Sequence, residues 1–149
     1  MHKAGCFLVA AVLVLGGCAS SGPRHAEIKS TLPALGAEQA RIFFYRNASP
    51  LGAAIQPDIR LNGEVVGTSI PGGFFYKDVA AGNYVVSTTT ERERQLTFTI
   101  AAKDIRYVRT TPSFGVFVGR IQPELVPAQE AEQEIADLHY TPHKPDNKK

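Results

Sequence analysis

Few side chains in this 149-residue sequence could do chemistry, and they are scattered along it. Two are thiols, Cys6 and Cys18, a count that in a secreted chain reads as one disulfide. His25, His139 and His143 are the histidines outside the extreme N-terminus. His139 and His143 are four apart, the spacing that puts two imidazoles on one helical face for a metal ion. Pro142 lies between them and ends a helix there, and no third ligand is evident. The sequence therefore predicts a solvated tail with no metal site. A nucleophile needs a base and an orienting group within reach, and no serine stands in a G-x-S-x-G setting. Asp58, Glu64, Asp78 and Asp104 are the carboxylates that could pair for glycoside hydrolysis. Each falls at a predicted turn or strand edge, where solvated acids are ordinary. "PGGFF" at residues 71–75 lacks the following helix and lysine of a phosphate cradle. Phe74, Phe75 and Tyr76 are consecutive. A strand sends alternate rings to opposite faces, so at least one is core, and another could offer a platform to a sugar, a peptide or a protein partner. Phe114 and Phe117 carry the same ambiguity. No catalytic residue and no cofactor is expected.

Composition agrees with a modest globular domain. The chain is 44% hydrophobic and 20% charged, with 13 Gly, 10 Pro and no Trp. The net charge of +2 is spread along the sequence without a basic stripe to neutralise phosphates, so no nucleic-acid partner is expected. Many turn residues imply many short strands.

The elements that would position these residues follow from periodicity. "RIFFYR" (41–46) is aromatic and β-branched, bounded by charge, and reads as a strand. In "DIRLNGEVVG" (58–67), Asn62 and Gly63 separate two alternating runs, the signature of a two-residue hairpin turn. "FFYKDV" (74–79) follows as a strand. "AAGNYVVSTTT" (80–90) is expected to turn at Gly82 and Asn83 before its own strand. "ERER" (91–94) reads as a charged hairpin tip that also discourages edge-to-edge pairing, rather than as an interaction patch. In "QLTFTIA", Leu96, Phe98 and Ile100 face one way while Gln95, Thr97 and Thr99 face the other. "IRYVRTT" and "GVFVGRIQ" add two strands, broken near residues 112–114. Only then does a helical pattern appear, in "PAQEAEQEIADL" (127–138), with Ala131, Ile135 and Leu138 on one face. Pro127 suits the first helical position. The predicted fold is all-β, an antiparallel β-sandwich of about seven strands with one C-terminal helix. A partly open barrel is the alternative. The sandwich would occupy residues 41–126, the helix 127–139, and a disordered tail 140–149.

The N-terminus carries a different kind of signal. His2 and Lys3 give a positive start, and residues 4–15, "AGCFLVAAVLVL", form an uncharged apolar core followed by small residues. This is the layout of a secretory signal peptide over residues 1–17. A membrane span needs about 20 apolar residues, and this run stops at Gly16 and Gly17. "LGGC", residues 15–18, resembles the lipobox of bacterial lipoproteins at all four positions. The resemblance implies cleavage before Cys18 and its modification with lipid, removal of Cys6, and no thiol left for disulfide or redox chemistry. Plain secretion with the cysteines unused is the alternative. Two or more acyl chains anchor a protein stably, so the implied location is membrane-anchored on the periplasmic face of the envelope. Ala19, where aspartate would favour inner-membrane retention in that family, points to the outer membrane. Residues 18–40 mix small, polar and proline residues and read as a flexible tether reaching on the order of 25 Å.

A second resemblance covers most of the mature chain. The series "RIFFYR", "DIRLNGEVVGTS", "FFYKDVAAGNYVVSTTTE", "IRYVRT" and "GVF" is similar to a bacterial lipoprotein domain of unknown function, DUF2846. "AAGNYVV" is also similar to prealbumin-like and PEGA-type β-sandwich modules. Both resemblances imply the sandwich fold, and the second implies a binding or structural role. The expected function is thus a lipid-anchored envelope lipoprotein acting as a non-catalytic structural or protein-interaction module. The alternative is a ligand-binding module for cell-wall glycan, peptide or lipid, with a hydrolase behind both. The expected partners are the membrane, through lipidated Cys18, and an envelope protein.

Overall fold

The computed structural model describes residues 20–90, 93–114 and 119–143. Cys18, the signal peptide, Glu91, Arg92 and Phe117 lie outside the described residues. A short helix α1 (His25–Ile28) runs into a 3₁₀ turn (Lys29–Thr31). Eight strands follow: β1 (Gln39–Tyr45), β2 (Asp58–Leu61), β3 (Glu64–Thr68), β4 (Gly73–Ala80), β5 (Gly82–Thr89), β6 (Glu93–Ile100), β7 (Ile105–Ser113) and β8 (Arg120–Val126). Helix α2 (Ala128–Ile135) and a two-residue strand β9 (His139–Tyr140) complete the described chain.

Two sheets face each other as a sandwich, not a closed barrel. One has the order β8-β7-β1-β4-β9 and the other β3-β2-β5-β6. The larger sheet is mixed, which corrects the wholly antiparallel expectation. β1 pairs antiparallel with β4 but parallel with β7, and β4 pairs parallel with β9. Parallel neighbours need a long crossover, and the chain between β1 and β7 supplies it by building the second sheet. β1 is buried at every position after Gln39, as a central strand covered on both faces must be.

Local chemistry explains several boundaries. Asn62 and Gly63 have φ of 49° and 88°, the positive values of the β2–β3 hairpin turn. Gly67 packs directly beneath the Phe75 ring, where an added Cβ would sit 2.3 Å from a ring carbon. The turn expected at Gly82 and Asn83 lies earlier, because both residues already pair in β5 with Ile100 and Thr99. β4 and β5 belong to different sheets, so this corner carries the chain across the sandwich. β6 alternates as expected, with Phe98 and Ile100 buried, Leu96 half-buried, and Gln95, Thr97 and Thr99 exposed. Ala131 and Ile135 are the buried stripe of α2, which ends at Ile135 rather than at residue 139, and Leu138 joins them from the turn that follows. Pro127 caps the helix rather than opening it.

Two apolar clusters result. The inner one, between the sheets, includes Ile42, Phe44, Ile59, Phe75, Val86, Phe98 and Val108. The outer one places Phe43, Tyr45, Phe74 and Tyr107 against Ala131, Ile135 and Leu138.

The tether and the tail are corrected where they are described. Ser20 donates its hydroxyl to the Gly72 carbonyl at 2.9 Å. Pro23 accepts from the Tyr140 amide, and the amides of His25 and Ala26 donate to Leu138 and Ala136. His25 is 2% exposed, with its ring edge-on to Phe43 and Phe74. Tyr140 stacks on Tyr76, and the Thr141 amide donates to Phe74. The two segments are held because each supplies backbone partners the other lacks, while covering aromatic surface that sheet pairing leaves open.

Candidate functional site

The richest polar cluster lies on the outer face of the larger sheet. Strand alternation sends Tyr107, Arg109 and Thr111 of β7 to the side where α2 packs. Arg109 donates from Nε to Glu124 Oε1 at 3.0 Å, and from Nη1 to Glu130 Oε1 at 2.8 Å and Glu134 Oε1 at 2.7 Å. Glu130 and Glu134 are one helical turn apart on α2, which aims both at one guanidinium. Glu134 also accepts from the Tyr45 hydroxyl at 2.6 Å and from Asn47 Nδ2 at 3.1 Å. Thr111 donates to Glu124 at 2.6 Å. Nearby, Glu132 accepts from the Tyr107 hydroxyl and pairs with Lys29.

Electrostatics follow the geometry. Burial, then the bond to Glu134, holds the Tyr45 phenol well above its ordinary range. Burial, then Glu132, does the same at Tyr107. For Glu134, burial works toward protonation but is outweighed by Tyr45, Arg109 and Asn47, which keep the carboxylate ionised. For Arg109, burial opposes the charge, and the three carboxylates overcome it. Charge-assisted bonds of this kind are short and directional, so the wall they form is fixed in place.

Asn47, Arg109, Thr111 and Glu124 of this cluster line an open groove of about 320 Å³, together with Ser49, Leu51, Thr110 and Pro112. The loop 47–57 is held by Arg46, which is 1% exposed. Its guanidinium donates to the carbonyls of Ile55 and Gly52 at 2.7 Å and reaches Ser69 at 3.3 Å. Burial lowers its pKa. One charged terminus of Arg thus satisfies several carbonyls of a loop that has no regular pairing. The lining pairs Arg109 with Glu124 beside Asn47 and the hydroxyls of Ser49 and Thr111, which suits a hydrogen-bonding contact.

The residues singled out by sequence stand elsewhere. Phe74 and Phe75 are core side chains in opposite clusters, so neither offers a platform to a ligand or partner. Tyr76 is half-buried under the Arg41 guanidinium, 4.5 Å from the ring centre. Phe114 is 84% exposed. The four candidate carboxylates do not converge. Asp78 forms a bidentate pair with Arg41 at 2.6 and 2.8 Å, and Asp104 pairs with Arg106 at 3.1 Å. Asp58 and Glu64 stand at opposite ends of the β2–β3 hairpin in the other sheet. His139 Nδ1 lies 2.6 Å from the Gly22 carbonyl, a structural bond. Among the described residues no group of three His, Cys, Asp or Glu side chains could hold a metal ion. Sequence reading missed Tyr45, Asn47, Arg109, Glu124, Glu130 and Glu134. Its usable signals were the alternation of Tyr107, Arg109 and Thr111 and the four-residue spacing of Glu130 and Glu134.

Among the described residues no helix is long and apolar enough to cross a membrane. An uncharacterized protein of Haemophilus influenzae is similar to the chain, 27% identical over 136 residues that cover 89% of this chain and 80% of that protein. No solved structure matches. Residues 36–121 match the family described as protein of unknown function DUF2846, and with more than half of its length so matched the chain belongs to that family.

Proposed function

We propose that the protein is a lipid-anchored envelope lipoprotein that works without catalysis, as a structural or protein-interaction module on the periplasmic face of the outer membrane. The lipid is attached at Cys18, in the "LGGC" setting that follows a positive start and an apolar run. The observation that carries the interaction reading is the fixed polar wall of the groove. Of its lining residues, Arg109 is bonded to Glu124, and both Arg109 and Asn47 are bonded to Glu134. A partner therefore meets a preorganised surface and orders few side chains on binding.

The size of the groove favours a second reading, a small ligand such as a cell-wall glycan or peptide, since pockets for such ligands begin near about 300 Å³. A photo-crosslinking residue at Ser49, used in intact envelopes, separates the two. Crosslinks to one protein support the interaction module. Retention of the purified domain on peptidoglycan, with no protein crosslink, transfers the assignment to the ligand reading. Incorporation of labelled palmitate that is lost in Cys18→Ser supports the anchor; no label in the wild type overturns it.

A further inference from the structure

We infer that the end of the sandwich bearing Leu51 and Phe114 sits directly on the lipid surface. This rests on lipidation of Cys18 and goes beyond it, because a lipid anchor on a long tether would leave the domain free to point anywhere.

The chain is already part of the domain at Ser20, whose hydroxyl is bonded to the Gly72 carbonyl. Only Ala19 separates Ser20 from Cys18. Two peptide steps span at most about 7 Å. The headgroup layer on each side of a bilayer is roughly 5 to 8 Å thick. An anchored Cys18 therefore keeps Ser20 and Gly72 at headgroup level.

Topology decides what else lies at that level. Gly72 precedes β4, whose first residues pair with the end of β1, and the Gly72 amide donates to Arg46. A Cβ on Gly72 would lie 3.6 Å from Ala48, so the loop 47–57 starts beside the anchor point. β7 runs parallel to β1 and points toward the same end. Its pairing with β1 stops at Arg109, but its ladder with β8 continues to Ser113 opposite Arg120. At the usual strand rise this extension is about 13 Å long. It ends at Phe114, 84% exposed, while Leu51, in the neighbouring loop, is 45% exposed. A Cβ on Gly52 would lie 3.1 Å from Pro112, which ties the two apolar tips together. An extension of that length crosses a headgroup layer and brings an aromatic ring to the acyl boundary, where such rings are favoured. The groove then opens at the membrane surface, where a partner would be met.

The chain contains no tryptophan, so a single one is an unambiguous reporter. The full chain with Phe114→Trp is purified in its lipidated form and placed in vesicles of phosphatidylethanolamine and phosphatidylglycerol containing phosphatidylcholine brominated near the headgroup end of its acyl chains. Emission should shift to the blue and lose most of its intensity to bromine quenching. Ile105→Trp, at the opposite end of β7 and also exposed at 44% in the native chain, should keep its emission. Phe114→Trp combined with Cys18→Ser, unlipidated, should lose the quenching. A lipidated Phe114→Trp protein that is not quenched, or is quenched no more than Ile105→Trp, overturns the inference. So does a blue shift already present in detergent-free solution without vesicles, which would assign this end to a second copy of the chain. Mass analysis reads the anchor separately: a chain without lipid on Cys18 fails the anchor reading itself and takes this inference with it.

Discussion

The two faces of the larger sheet are built on different chemistry. The inner face closes against the second sheet through hydrocarbon contacts, with Phe44 stacked on Phe75 at 4.9 Å and Ile42, Ile59, Val86 and Val108 around them. The outer face is also apolar at its base, where Phe43 stacks on Tyr107 at 5.2 Å. It ends, however, in hydroxyls and carboxylates: Tyr45 on Glu134, Tyr107 on Glu132, and Arg109 across Glu124, Glu130 and Glu134. A sheet can cover one face with a second sheet, but its other face must be closed by whatever else the chain supplies. Here α1 and α2 supply it, and the groove lies where loop 47–51 meets β7 and Glu124 of β8. The difference teaches that the inner face serves folding, while the outer face serves folding and presents a surface.

Variants can break this comparison. Phe44→Ala should cause the largest loss, about 3–5 kcal/mol in a denaturant melt, because it leaves a cavity that the stacked Phe75 cannot fill. A loss below about 1 kcal/mol would mean that the inner cluster collapses readily and the contrast between faces is wrong. Arg109→Met should cost less, about 1–2 kcal/mol, since the cation is partly solvated and its carboxylates can turn to water. Its diagnostic effect is a rise in the pKa of Glu134, visible by carbon-detected NMR. No such rise would show that the three carboxylates do not depend on this cation.

The next effect is a pH dependence confined to the outer face. Burial, opposed by Glu132 and reinforced by Lys29, lowers the His25 pKa below its ordinary 6.5. Below that value the unfolded chain takes up a proton that the folded chain refuses, so stability is full above about 6.5 and falls as pH drops beneath it. His25→Phe should flatten thermal midpoints between about pH 6.5 and 5, and an unchanged slope would assign the effect to another group. Glu124, Glu132 and Glu134, whose pKa values are lowered from 4.5, contribute a separate loss at more acidic pH. The smallest change should come from Lys29→Met, within about 0.5 kcal/mol, because this ion pair is largely exposed.

How much was legible in advance varies with the range of the interactions. Asn62 and Gly63 declare their turn because positive φ suits few other residues. Leu96, Phe98 and Ile100 declare a half-buried strand by alternation, and Ala131 and Ile135 declare the apolar stripe of α2 by spacing. The small and polar composition around residues 20–28 and 139–141 predicts a tether and a tail. Their order comes from each other: the Pro23 carbonyl and the Tyr140 amide are partners across the fold. Phe74 and Phe75 looked available because adjacent strand residues face opposite ways, and only the covering of both faces makes each of them core.

The sequence by itself determined most of the strands, the Asn62–Gly63 turn and the presence of a late helix, since these depend on periods and motifs within a few residues. The tertiary structure alone decided the parallel pairing of β1 with β7, the docking of both ends of the described chain, and the gathering of Arg109 with its carboxylates. Tyr45 and Glu134 are 89 residues apart, and Ser20 and Gly72 are 52 apart. No local pattern encodes such a meeting. It exists because packing the outer face of one sheet leaves a single arrangement in which these polar groups are bonded rather than stranded.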